Sequence, residues 1–305
     1  MIDILLATYN GGQYLTEQIE SIINQTYKEW TLYIRDDGST DNTLKIVNKY
    51  IVEYPQKIIL IKDNKKGLGA KLNFAELIKY SKNKYCMFSD QDDYWLSNKI
   101  EITLKKMKDL EGEFGNSKPI LIHTNLKVVD KDLHIISNSF WNLMNINPKR
   151  NKLNNIMVEN VITGCTTMLN RALMDCVYNI PIECLMHDWW IGIVASTFGK
   201  IGIIEEPTIL YRQHGNNEVG AKKEGYISRI KKKIKTKSKI FAKELKQMEK
   251  FYEIYKYKMA FSDKKLIEEF ISIPNRNFLV RRNILIKNKI FLNKLINNIK
   301  NIIFI

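Results

Sequence analysis

The 305-residue sequence predicts an α/β protein built on a doubly wound, mostly parallel sheet flanked by helices. Three observations predict it. Short apolar runs alternate with helix-periodic segments four times in about the first 90 residues, the pattern of βαβ units. Two of those runs, Thr31–Ile34 and Tyr85–Phe88, pass directly into acidic loops, so polar groups gather along one sheet edge. Open α/β sheets bind ligands at that carboxyl edge. The formal charge of +15 is also uneven: residues 222–305 hold 23 Lys/Arg and 7 Asp/Glu, leaving 25 and 26 in the first 221. The chain is therefore expected to divide into a nearly neutral domain, 1–221, and a basic, mainly helical region, 222–305.

Taken in order, Ile4–Ala7 is a continuous apolar strand closed by Tyr9-Asn10-Gly11-Gly12. Leu15, Ile19, Ile22 and Ile23 follow at helical spacing. Thr31–Ile34 is a second strand, Thr43–Tyr50 a helix and Ile58–Ile61 a third strand. Gly67-Leu68-Gly69 opens a helix that carries Lys71 and Asn73 and runs to about Tyr80, and Tyr85–Phe88 is the fourth strand. Ile100, Leu104 and Met107 mark a basic amphipathic helix ending near Gly112–Gly115, and Ile120–Thr124 is a strand. An apolar, β-branched run at 162–169 precedes a helix starting at Asn170-Arg171. His187-Asp188-Trp189-Trp190 heads a further helix to Phe198, and Ile201–Ile204 is strand-like. From Tyr226 a lysine-rich helix is expected on Ile227, Ile230 and Ile234; Phe241, Leu245, Met248, Phe251 and Tyr255 continue its apolar stripe until Pro274. Such a basic amphipathic region suits an anionic membrane surface, and its apolar stripe equally suits packing on the first domain.

The densest chemistry is Ser89-Asp90-Gln91-Asp92-Asp93, three carboxylates in four residues at a strand's carboxyl end. Spaced i, i+2, Asp90 and Asp92 let one carboxylate take a hard divalent cation while the other reaches a ligand hydroxyl. A solvated acidic turn is the alternative. Gly67-Leu68-Gly69 follows Lys65-Lys66 and lacks a third glycine, which excludes a dinucleotide fingerprint. The four cysteines form no C-x-x-C pair and read as reduced, mostly buried residues. The chain opens directly on a strand-like run, without the pattern of a signal peptide, and no apolar run reaches the ~18 residues of a membrane span. A cytoplasmic protein, peripheral at most to the inner face of a membrane, is expected.

Five motifs in order resemble the inverting family 2 glycosyltransferases of GT-A fold, over about residues 1–220. Ala7-Thr8-Tyr9-Asn10 is similar to the first-strand motif, Asp36-Asp37-Gly38-Ser39-Thr40-Asp41 to the second, and Ser89–Asp93 to the metal-binding D-x-D. Together with His187-Asp188-Trp189-Trp190 and Gln213-His214-Gly215-Asn216-Asn217, they resemble bacterial rhamnosyltransferases of surface polysaccharide synthesis.

The resemblance implies a role for each position. Thr8 and Tyr9 would meet the nucleotide, with Tyr9 stacking on the base, and Asp36 or Asp37 would accept its imide N–H. Those two acids also suit turn chemistry before a helix. Asp90 would reach the ribose or the metal. Asp92 and His214 would hold Mn²⁺ or Mg²⁺. Asp188 would be the general base, against its alternative as a helix N-cap whose pKa the helix terminus would lower. Gly164 and Cys165 would floor the pocket, small enough for the sugar to approach the backbone, and Lys71 and Asn73 would touch the nucleotide. Cys165 is not expected to be a nucleophile, since single displacement needs none. Trp190 is expected in the core.

The implied activity moves a sugar, by preference L-rhamnose from dTDP-L-rhamnose, onto a glycan or lipid-linked oligosaccharide. The alternative within the family is a UDP-hexose or UDP-N-acetylhexosamine. A sugar nucleotidyltransferase would need a glycine-rich triphosphate loop that Gly11-Gly12 does not supply. A nucleic-acid partner is not expected, because the basic region holds no base-reading motif and the first 221 residues are not basic.

Overall fold

The computed structural model describes residues 1–214 and 241–293. The expected lysine-rich helix on Ile227, Ile230 and Ile234, residues Gly215–Asn217 and residues 294–305 lie outside them. The described elements are β1 (Ile2–Thr8), α1 (Leu15–Ile23), β2 (Trp30–Asp36), α2 (Thr43–Glu53), β3 (Ile58–Leu60), α3 (Gly69–Leu77), β4 (Tyr85–Ser89) and β5 (Tyr94–Trp95). There follow α4 (Lys99–Phe114), β6 (Ile120–Val129), β7 (Ile135–Ser137), α5 (Phe140–Met144), α6 (Leu153–Ile156), β8 (Met168–Asn170), α7 (Arg171–Val177), α8 (His187–Phe198) and β9 (Lys200–Arg212). Three helices complete them: α9 (Ala242–Tyr255), α10 (Phe261–Ile271) and α11 (Phe278–Lys287).

The sheet runs β3-β2-β1-β4-β8-β6-β9-β5, with β7 paired to β6. β3, β2, β1 and β4 are mutually parallel, β8 is antiparallel to both β4 and β6, and β9 is parallel to β6. Every residue of β1 is buried, because helices cover both faces of its sheet. Successive residues alternate between two core clusters: Ile2, Ile4 and Leu6 join one, Leu5 and Ala7 the other. Asp3 is the exception in that apolar run. Its carboxylate takes Ser81 Oγ, the Lys82 and Asn83 amides and Asn83 Nδ2 at 2.6–2.9 Å, so the buried charge is satisfied.

One strand differs from the sequence expectation for a physical reason, and the apolar stripe of α9 takes the inward one of its two expected placements. Ile201–Ile204 and Ile209–Arg212 belong to one strand, β9, in which Pro207 lies opposite Asn125 at a break in the β6–β9 register. A proline inside a strand is tolerated at such an irregularity. The apolar stripe of α9 packs inward: Leu245, Met248, Phe251 and Tyr255 join the cluster that holds Trp190. Phe251 meets the Trp190 ring edge-on at 5.5 Å. Burying such side chains contributes roughly 1.5–3 kcal/mol each. Trp190 is fully buried, as expected, and Trp95 is also in the core.

Candidate active site

Four successive amides after β1 donate to side chains. Tyr9 N–H meets Gln91 Oε1 at 2.8 Å, Asn10 N–H meets Ser39 Oγ at 2.8 Å, Gly11 N–H meets Thr43 Oγ1 at 2.9 Å and Gly12 N–H meets Asp41 Oδ2 at 3.0 Å. The chain after β1 is thereby laced to the loops that follow β2 and β4. Thr8 is buried and donates its hydroxyl to Asp36 Oδ1 at 2.9 Å, while Tyr9 leaves its ring 56% exposed at the sheet edge.

Asp36 also closes the next turn, accepting the Gly38 and Ser39 amides at 3.0 and 2.8 Å. Asp37 is buried and faces the other way, accepting from Arg35 Nη1 at 3.3 Å and from the Gly69 amide at 2.8 Å. Arg35, the residue before Asp36 in β2, is a hub that periodicity does not reveal. It is fully buried, pairs with both oxygens of Asp63 at 2.8–2.9 Å, and donates to Asn73 Oδ1 and the Lys65 carbonyl. Asn73 is therefore placed in this hub. Lys71 is placed elsewhere, its ammonium donating to the Ile182 and Cys184 carbonyls at 2.7 and 3.0 Å.

The acidic loop meets the end of β9. His214 Nε2 lies 2.8 Å from Asp92 Oδ2, with both side chains mostly buried. The two-residue strand β5 makes this meeting, pairing Tyr94 with Leu210 and Trp95 with Ile209. Arg212 supports it from beneath: fully buried, it donates to the Asp92 carbonyl at 3.0 Å, pairs with Glu17 and lies over the Tyr14 ring. Tyr14 in turn packs against His214, with ring centroids 5.0 Å apart.

Behind this pair sits Asp93, fully buried. It accepts the Arg212 amide at 3.3 Å on Oδ1 and leaves Oδ2 buried with no hydrogen-bond partner. Burial, then the neighbouring charges of Asp92 and Asp90, push its carboxyl well above the usual range. Ligand atoms of Asp90, Asp93 and Cys165 lie within 4.8 Å of one another. The two crowded carboxyls, one with an unpartnered oxygen, are oxygen donors that fit a hard divalent cation such as Mg²⁺ or Mn²⁺, while Asp92 and His214 pair with each other and are not in that group. Burial pushes the Cys165 thiol far up as well, which disfavours its thiolate. Lys99, also missed by sequence reasoning, is fully buried 4.6 Å from the Trp95 ring centroid, and burial lowers its pKa to about 8.

Asp188, the candidate base, is held by the turn Gly164–Thr166. Its Oδ2 accepts the Gly164 amide at 2.9 Å, and its Oδ1 accepts Asn160 Nδ2 at 3.2 Å and the Trp189 amide at 2.6 Å. The neighbouring Cys165 touches the acidic cluster, so one short turn links the two ends of the site. The N-cap of α8 is Met186, and Asp188 stands inside the first turn. Burial outweighs those three donors and raises its carboxyl to about 6, opposite to the lowering expected from a helix terminus alone. His187 is buried against Phe74 and Phe88, with neither ring nitrogen hydrogen-bonded. A Cβ on Gly164 would lie 2.8 Å from His187 Nε2, so this glycine makes room for His187.

A family model for glycosyl transferase family 2 matches residues 3–177. The chain belongs to glycosyl transferase family 2. Among curated relatives, the family member is similar to the dTDP-rhamnosyl transferase RfbG of Shigella flexneri, with 31% identity over 71% of this chain and 74% of that one. It is also similar to the UDP-Glc:alpha-D-GlcNAc-diphosphoundecaprenol beta-1,3-glucosyltransferase WfgD of Escherichia coli. There the identity is 26% over 57% of this chain and 62% of the relative, less than two thirds of its length. Two solved structures share the fold at low identity. S. aureus TarS in complex with UDP-GlcNAc matches with a TM-score of 0.54 and 16% identity, covering 99% of this chain and 89% of that one. The mannosyltransferase PcManGT from Pyrobaculum calidifontis, in complex with GDP-Man and Mn²⁺, matches with a TM-score of 0.53 and 15% identity, covering 94% and 72%. The sheet of this glycosyltransferase is thus the GT-A sheet, with its acidic loop at the carboxyl edge. Among the described residues no helix is long and apolar enough to cross a membrane.

Proposed function

We propose that this glycosyltransferase moves a sugar from a nucleotide diphosphate to a glycan hydroxyl with inversion, and that it depends on Mg²⁺ or Mn²⁺. The observation that carries the reading is that Asp92 pairs with His214 in the acidic loop, while Asp188 is held by the short turn whose Cys165 lies against Asp90 and Asp93. Asp188 takes the acceptor hydroxyl's proton as that oxygen attacks the anomeric carbon. A carboxyl titrating at about 6 is ionised at neutral pH and a better base than an ordinary aspartate. Asp92 and His214, with Asp90 beside them, hold the cation, which when bound stabilises the leaving diphosphate as a Lewis acid. The exposed Tyr9 ring stacks on the base, and Asp36 or Asp37 accepts its imide N–H. The buried turn at Gly164 and Cys165 excludes water from the sugar.

The preferred donor is dTDP-L-rhamnose, supported by the dTDP-rhamnosyl transferase relative at 31% identity. A UDP-sugar is the second reading, favoured by the UDP-Glc-dependent relative. Thermal melting with a panel of sugar nucleotides, each with and without metal, separates the two. A metal-dependent rise with dTDP-rhamnose, lost in Asp92→Ala, is expected. A larger rise with a UDP-sugar discards rhamnose, and no rise with any nucleotide sinks the transferase mechanism.

The acceptor is a glycan or lipid-linked oligosaccharide at a cytoplasmic membrane face, and the basic region, residues 222–305, meets the bilayer. On α11, Leu279 and Ile286 are exposed, and Arg282 lies 4.6 Å from the ring centroid of the part-exposed Phe278. Apolar and basic groups on one helix suit an anionic interface. Co-sedimentation with phosphatidylglycerol vesicles, weakened in Leu279→Glu, is expected; equal recovery with phosphatidylcholine would remove the membrane from the proposal.

A further inference from the structure

Gln91 sits between the two acids assigned to the ribose and the metal, yet its side chain turns away from both. Its Oε1 accepts the Tyr9 amide at 2.8 Å and its Nε2 donates to the Tyr9 carbonyl at 3.0 Å. The amide side chain thus binds the Tyr9 backbone as a neighbouring strand would, across 82 residues of sequence. A primary amide offers a donor and an acceptor in that arrangement, which an ionised carboxylate does not. The fit is tight. A Cβ on Gly11 would lie 2.2 Å from Gln91 Oε1, so a larger residue there would push the Gln91 side chain out of the clamp. The Tyr9 ring remains exposed while its backbone is held, which leaves it available to a planar ligand.

We infer that Gln91 is a positioning residue that couples occupancy of the cation site to the stacking platform for the base. This rests on the nucleotide and metal reading above. Fixing Asp92 against His214 fixes the backbone of the acidic loop and so the root of the Gln91 side chain. Gln91 in turn fixes the backbone on which Tyr9 is carried. By linkage the coupling is reciprocal: cation binding strengthens base binding by the same factor as base binding strengthens cation binding. The other anchors of this segment, Ser39, Thr43 and Asp41, come from the β2 side and carry no such link to the acidic loop.

A nucleotide diphosphate would couple to the cation through its own phosphates, so the test uses nucleosides. Uridine and thymidine affinities are measured by ligand-observed NMR on the whole chain, with and without Mg²⁺. Wild-type protein should bind one of them about 5-fold or more tightly with Mg²⁺, within the usual range of allosteric coupling. In Gln91→Ala the enhancement should fall to none, while Mg²⁺ binding alone persists. Gly11→Ala, which keeps the glutamine but crowds it out of the clamp, should lose the enhancement too. Nucleoside binding that Mg²⁺ does not strengthen in wild type, or strengthens equally in Gln91→Ala, overturns the inference. A uniform weakening of both ligands with the enhancement intact also overturns it, since that is a merely structural role. Failure of both UDP and dTDP to bind wild type with Mg²⁺ would bring down the nucleotide reading itself, and the inference with it.

Discussion

Asp92 and His214 stand 122 residues apart in the chain and 2.8 Å apart in the fold. Neither side chain could be assigned a cation without the other, because one carboxylate at a loop is commonly only a solvated acid. Asp92→Ala and His214→Ala should each weaken Mn²⁺ binding at least ~10-fold, the range seen when groups around a metal are removed. Electron paramagnetic resonance of free Mn²⁺ checks this. Excess Mn²⁺ should restore part of the transfer rate in His214→Ala, and failure to do so would assign His214 a different task.

Asp188 should set the acid limb of the pH profile. With its carboxyl at about 6, kcat/KM should rise with pH and level off above roughly pH 7. Asp188→Asn should lower kcat by ~10²–10⁴-fold and abolish that limb. Added Mn²⁺ should not rescue it, in contrast to His214→Ala. A profile unchanged in the surviving activity would point to another base.

Arg35 should matter for stability, because it pairs with two acids in the interior. Removing it leaves Asp37 buried and Asp63 partly buried without their cation. Arg35→Ala should cost about 3–5 kcal/mol, the usual penalty for breaking a buried pair from one side. Urea denaturation reads this directly, and a loss below 1 kcal/mol would mean that the hub relaxes.

His123 supplies a pH signature unrelated to catalysis. It is buried beside Trp141 with both ring nitrogens unpartnered, and burial lowers its pKa to about 3. Between about pH 3 and 6.5 the unfolded chain therefore binds a proton that the folded chain refuses. Stability rises with pH through that window, by roughly 1.4 kcal/mol per pH unit for this group. His187, also lowered to about 3, contributes in the same sense, whereas the raised Asp188 opposes them between about pH 4 and 6. His123→Leu should flatten the slope of unfolding free energy measured between pH 4 and 6. An unchanged slope would mean that His123 is protonated in the folded state.

The family and most of the sheet were legible in the sequence, because their signals are local. Mostly apolar runs mark β1 and β4, buried throughout, and β2, partly buried, and the acidic loops after β2 and β4 follow from chain order alone. Helical spacing likewise located α1, α4, α8 and the inward stripe of α9. Short or composite elements left no such mark. β5 is two residues long, too short for any periodicity, yet it brings Asp92 to His214. What the tertiary structure alone decided is which polar group meets which. Arg35 among its acids, Gln91 on the Tyr9 backbone and Asp188 on the Gly164 amide are pairings between distant segments. The raised Asp188 carboxyl is likewise a product of burial. Sequence spacing carries residue type and local period, but desolvation and long-range hydrogen bonds exist only once separate segments share one dry volume.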